Sequence, residues 1–118
     1  SDLGDIMESL SLSDLADEQI AAAKVAHAGR AAHTVHGGHE HSLRQTLIAL
    51  VGGQELSEHD SPGEATLQVL RGRVRLVAGA DGCECSAGDY LVIPRARHSL
   101  SALDDSAVLL TVLADQRR

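Results

Sequence analysis

The chain has 118 residues, a formal net charge of −7 and 43% hydrophobic residues, with one Tyr and neither Phe nor Trp. That length suits one domain around one core. The acidic balance and the missing aromatic rings exclude recognition of nucleic acid through phosphates and stacked bases. No apolar run reaches the ~18–20 residues of a membrane span, and no basic start leads into an apolar stretch, so a cytoplasmic protein without membrane or nucleic-acid partners is expected.

Residues 1–30 read as an N-terminal helical segment. Residues 1–6 precede Met7 and are expected to be a remnant ahead of the native start. Ser13 is a plausible N-cap with acids in the first turn, the alanine run at 21–23 favours helix, and Gly29 stands where a helix would stop. Leu12, Leu15, Ile20 and Val25 supply an apolar stripe, which predicts a cap over one end of the core in preference to an oligomer contact.

Residues 31–118 read as a β domain. Residues 43–51 form an apolar run ending in Gly52-Gly53, and residues 54–59 are shorter and mixed. Residues 65–71 and 74–78 flank Gly72, which predicts a tight reversal between partner strands, and Asp81-Gly82 marks a hairpin. Residues 90–93, 98–103 and 107–113 complete seven to nine short strands, with Asp104 and Asp105 as turn residues. Such spacing without intervening helices means a sandwich or barrel. Cys83 and Cys85 would share one face of a strand, as two small thiols or as half of a soft-metal site.

Two glycine-framed segments each deliver one histidine. Gly53 is followed after five residues by His59 and later by Gly72; Gly88 is followed after five residues by Pro94 and then by His98. This arrangement resembles the two motifs of the cupin superfamily, and the run from Pro62 to Gly72 resembles small single-domain bacterial cupins of unsettled function. The resemblance spans roughly residues 33–114. It implies a mainly β, cupin-type jelly-roll barrel with a short N-terminal helix. It also implies a divalent metal held by two His and a Glu of the first motif and the His of the second. Two of those four positions are kept, His59 and His98. Ser61 and Ala65 stand at the other two, with Glu64 one step away on the opposite face of a strand. Ala96 replaces a usual glycine, and His98 arrives one residue early.

A metal normally needs a third protein ligand. His39 and His41 are two apart, so on a strand both would face one way, and either could complete a three-His site with His59 and His98. Such a site suits Zn, Ni, Fe, Mn or Cu. Arg44, in an otherwise apolar strand, would either pair with Glu55, Glu58 or Glu64 or anchor a carboxylate ligand. The sequence thus supports a protein that binds a divalent metal, a small molecule or both through His59 and His98. The alternative is a non-catalytic binder or sensor with a degenerate metal site. Strand edges left open by a barrel predict a homodimer.

Overall fold

The computed structural model describes residues 7–59 and 63–114, so the expected remnant at 1–6 lies outside the described residues, as does Ser61. One helix, α1 (Leu12–Val25), precedes nine strands: β1 (Arg30–His36), β2 (Leu43–Leu50), β3 (Glu55–His59), β4 (Glu64–Arg71), β5 (Arg73–Ala78), β6 (Asp81–Ser86), β7 (Tyr90–Val92), β8 (His98–Ala102) and β9 (Ser106–Leu113). They form two antiparallel sheets, one of order β1-β2-β9-β4-β7 and one of order β3-β8-β5-β6. The result is a mainly β jelly roll, as expected.

Period-2 alternation explains how each strand serves two environments. On β4, Ala65, Leu67 and Val69 are buried, while Glu64 and Gln68 are exposed. On β5, Val74 and Leu76 are buried between exposed Arg73 and Arg75. These inner residues meet Leu50, Cys85, Ile93, Leu100, Ala102 and Val108 in the core between the sheets. The opposite face of the first sheet carries a second cluster, in which Ala16 of α1 packs on Leu47, Ala107 and Leu109. The helix therefore covers the flank of a sheet, not one end of the barrel. Ion pairs Arg71–Asp17 at 3.1 Å and Lys24–Asp105 at 3.7 Å flank this contact. Both are solvent-exposed and contribute at most about 1 kcal/mol each, so the buried cluster holds the helix.

Several sequence expectations are corrected. The N-cap is Ser11, whose hydroxyl accepts the Asp14 N–H at 3.1 Å; the helix begins earlier than Ser13 would allow because Leu12 already packs on the sheet. β4 and β5 are consecutive but not paired: β4 bonds β9 and β7, and β5 bonds β8 and β6. Gly72 is the corner at which the chain crosses from one sheet to the other. Asp81-Gly82 lies within β6; the hairpin turns at Gly79 and Ala80, where Gly79 supplies the positive φ of 61°. β1 is a strand that composition hid, because its residues are half-buried at most.

Candidate functional site

Strand register gathers the motif residues at one end of the jelly roll. Leu43 at the start of β2 and Glu64 at the start of β4 both pair with Leu113 at the end of β9. Ile93, just after β7, donates its N–H to Ala65 O at 2.9 Å. The connections 37–42 and 94–97 therefore open on the same end, where β4 also begins. His59 closes β3 and His98 opens β8 at that end, and the two are directly opposed partners.

That pairing depends on an irregularity. Leu56 opposes Leu100, so an uninterrupted ladder would bring Glu58 opposite His98; one extra residue on β3 brings His59 there instead. Bulges that re-aim a residue in this way recur beside functional sites. The displaced Glu58 is held on the solvent side by Arg97, whose Nε lies 3.5 Å from its carboxylate and whose guanidinium reaches its carbonyl at 3.5 Å.

His98 is 4% exposed. Its Nδ1 lies 2.8 Å from Ala96 O, and a carbonyl only accepts, so the neutral ring carries its proton on Nδ1 and its lone pair on Nε2. Fixing the tautomer through a backbone carbonyl is how metal-binding and ligand-binding imidazoles are oriented. The glycines framing the motifs, Gly53, Gly72 and Gly88, all have positive φ, at 94°, 79° and 94°. They punctuate the chain because they turn it.

The rest of the expected ligand set does not assemble on a strand. Ala65 is buried in the core, and Glu64 is exposed on the other face, so no shift of register brings its carboxylate inward. His39 and His41 are not on a strand: they lie in the β1–β2 connection, where Gly38 has φ of 112° and the His41 N–H bonds back to Gly38 O at 3.2 Å. Their expected alternation fails because Gly37 and Gly38 turn the chain first. His41 stacks obliquely on His36, with ring centroids 4.6 Å apart. His33 lies on the opposite face, beside Asp14 and Glu18 of α1. Among the described residues, no three His, Cys, Asp or Glu side chains stand close enough to hold one metal ion.

Arg44 also departs from expectation. Among the described residues it makes no ion pair with Glu55, Glu58 or Glu64; Glu58 pairs with Arg97 instead. Arg44 lines an open groove of about 270 Å³ beside the mouth, with Thr34, Thr46, His36 and His39. A lone arginine in an apolar strand reads as a buried group in need of a partner, but Arg44 lies at the exposed end of β2.

Cys83 and Cys85 do share a face of β6, with Sγ atoms 3.8 Å apart, both as free thiols. Burial, reinforced by the hydrogen bond to Cys83, pushes the Cys85 thiol up to about 11. A thiol reagent at pH 8 is therefore expected to label exposed Cys83 first. Labelling of Cys85 in the folded protein should accelerate about tenfold per pH unit as its thiolate fraction grows toward that value. Equal, pH-independent rates for the two thiols would contradict this account.

No family model matches this sequence, and no curated protein matches it. Solved structures do. A cupin superfamily protein from Desulfitobacterium hafniense superposes with a TM-score of 0.74 at 15% identity, over 93% of this chain and 94% of its own. A protein of unknown function from Streptococcus pyogenes gives 0.67 at 26% identity, over 75% and 76%. The salicylate 1,2-dioxygenase of Pseudoaminobacter salicylatoxidans gives 0.69 at 21% identity; the match covers 82% of this chain but 33% of that enzyme. The fold is the cupin jelly roll. Within that class its structural neighbours include small bacterial cupins alongside larger enzymes, and fold alone assigns none of their chemistry to this chain.

Proposed function

We propose that this protein binds a small molecule at the mouth of its jelly roll, using the His59–His98 pair as the polar element of an otherwise aliphatic site, and that its metal site is degenerate. The observation that carries the reading is the bulged register that sets His59 directly opposite a buried, tautomer-fixed His98. Small-molecule sites set a few polar groups against an apolar lining, and the buried residues that share the face of His98 on β8, Leu100 and Ala102, are apolar. The donor set does not fit a resident metal: the family's Glu position is a buried alanine, and the described residues supply no third ligand. We therefore assign no step to a metal. A homodimer, if formed, would use one of the open strand edges, of which β1 and β6 are two.

A second reading, a metal-dependent enzyme, is favoured by one specific feature. The Nδ1–H contact of His98 to a carbonyl is the arrangement that orients a histidine toward a metal through Nε2. Metal analysis of protein purified without a histidine tag separates the two. The binding reading expects far less than one metal per chain after dialysis, and only weak uptake of added Zn or Ni. A stoichiometric metal that survives dialysis and is lost in both His59→Ala and His98→Ala would replace it with the enzyme reading.

A further inference from the structure

We propose that the groove between β1 and β2 is a carboxylate subsite, with Arg44 as its anchor. It deepens the binding reading by naming the class of ligand. It rests on that reading for where the ligand's apolar body lies, but not for the carboxylate contact itself.

Register fixes where Arg44 points. Ile48 and Leu50 of β2 face the core between the sheets, and Thr46 and Arg44 follow on the same face by twos. Across the sheet Arg44 pairs with Val112, and Val112 pairs with Ala65. Arg44 thus continues, at the open rim, the inner row that holds Ala65 two strands away, roughly 10 Å by strand spacing. On its other side Thr34 pairs with Thr46 and brings a second hydroxyl to the same face.

The groove is a set of donors. A guanidinium, two threonine hydroxyls and the imidazoles of His36 and His39 line it, and among the described residues no acidic side chain is part of that lining. The nearest described carboxylate is that of Glu40, which lies beside Gly38 at the edge of the groove, where a Cβ on Gly38 would stand 3.4 Å from its Oε1. Among the described residues Arg44, like Arg30, Arg75 and Arg95, has no ion pair or side-chain hydrogen bond, whereas Arg71, Arg73 and Arg97 each have a carboxylate partner; of the unpaired four, Arg44 is the one that lines this groove. The turn passes close to the arginine stem: a Cβ at Gly37 would stand 3.9 Å from Arg44 Cγ and 3.4 Å from Thr34 Cγ2. A planar fork in a groove that two threonines also line can meet a carboxylate bidentately. The volume of about 270 Å³ falls just below the ~300–1,000 Å³ of drug-sized sites and suits a ligand of a few carbons or one ring.

The test is a titration of the whole chain with benzoate and butyrate, each against its primary amide, followed by amide chemical shifts. Saturable shifts at Thr34, Arg44 and Thr46 with the acids, about tenfold or more weaker with the amides and in Arg44→Gln, are expected. Arg44→Lys keeps the charge but not the fork, and should fall between. Equal binding of acid and amide, an affinity indifferent to Arg44→Gln, or no saturable shift would overturn the proposal. Arg44 is exposed, so these variants test the contact and not the fold. Shifts that also reach Ser99 and Leu100 support the mouth as the seat of the ligand's body. Shifts confined to β1 and β2 uphold the carboxylate subsite while counting against the His59–His98 reading.

Discussion

Gly72→Ala is expected to lower the unfolding free energy by about 2–5 kcal/mol, a large part of the ~5–15 kcal/mol that holds a domain of this size. Gly72 has φ of 79°, where an L residue costs about 1–2 kcal/mol. A Cβ at this corner would also run into Asp105 O and Ser106 Oγ, with Ser106 Cα at 2.9 Å. Neither obstacle yields cheaply, and such overpacking costs about 1–3 kcal/mol more. Retreat of the backbone at Asp105 would strain the hydrogen bond that its carboxylate accepts from Gly52 N–H at 2.8 Å. Ser106 is 1% exposed and is a hub: it accepts the Arg73 N–H at 3.1 Å and lies 3.0 Å from Arg73 O and 2.7 Å from Asp104 O. Gly79→Ala is the control, since Gly79 has φ of 61° but open space around it, and it should cost only the backbone term. Chemical denaturation of the two variants decides the matter; equal losses would show that the close approach at Gly72 costs nothing. The corner matters for function because it delivers β5 to β8, with Val74 opposite Ala102 and Leu76 opposite Leu100, and β8 begins with His98.

The same corner shows where sequence reasoning stops. Gly53, Gly72 and Gly88 were legible as punctuation because only glycine adopts their backbone readily, and the strands between them were legible from apolar alternation. Which strands pair was not, because β4 and β5 are neighbours in sequence yet sit in different sheets. His59 and His98 were legible as a pair, but the means was hidden. Leu56 and His59 differ in parity, and only a bulge on β3 lets both Leu56–Leu100 and His59–His98 be partners. His39 and His41 misled because spacing by two carries meaning only on a strand, and two glycines ahead of them make a turn. β1 was missed because an edge strand with half-buried residues at most has no apolar signature. Arg44 was legible as an anomaly; that it stands without a carboxylate partner depends on Glu64 facing away and Glu58 being taken by Arg97, neither of which a sequence shows.

Ala65→Glu is expected to give opposite results with and without metal, and this makes it the sharpest probe of the mouth. Ala65 is 3% exposed, on the inner row beside Val112, at the position where the cupin pattern expects a carboxylate ligand. Without metal, a carboxylate there is buried without a partner. Arg44 is two strands away, roughly 10 Å by strand spacing, with Val112 between them, so it would have to leave its groove and fold over Val112 to pair with it. The loss should be about 2–5 kcal/mol, part of it avoided by the acid staying protonated. If His59, His98 and position 65 converge, the variant then has the three ligands that a divalent ion requires. An ion present at a thousand times its dissociation constant would return about 4 kcal/mol. Thermal melts with and without Zn or Ni should therefore diverge for Ala65→Glu and coincide for Ala65→Gln, which has the same bulk and no charge. Adding His98→Ala to Ala65→Glu should remove the divergence. Melts that coincide for Ala65→Glu would mean that the paired histidines and the inner row do not meet, and the mouth would lose its claim to be one site. A metal-dependent rescue would show instead that a single alanine, in place of a carboxylate, separates this chain from a metal-binding cupin.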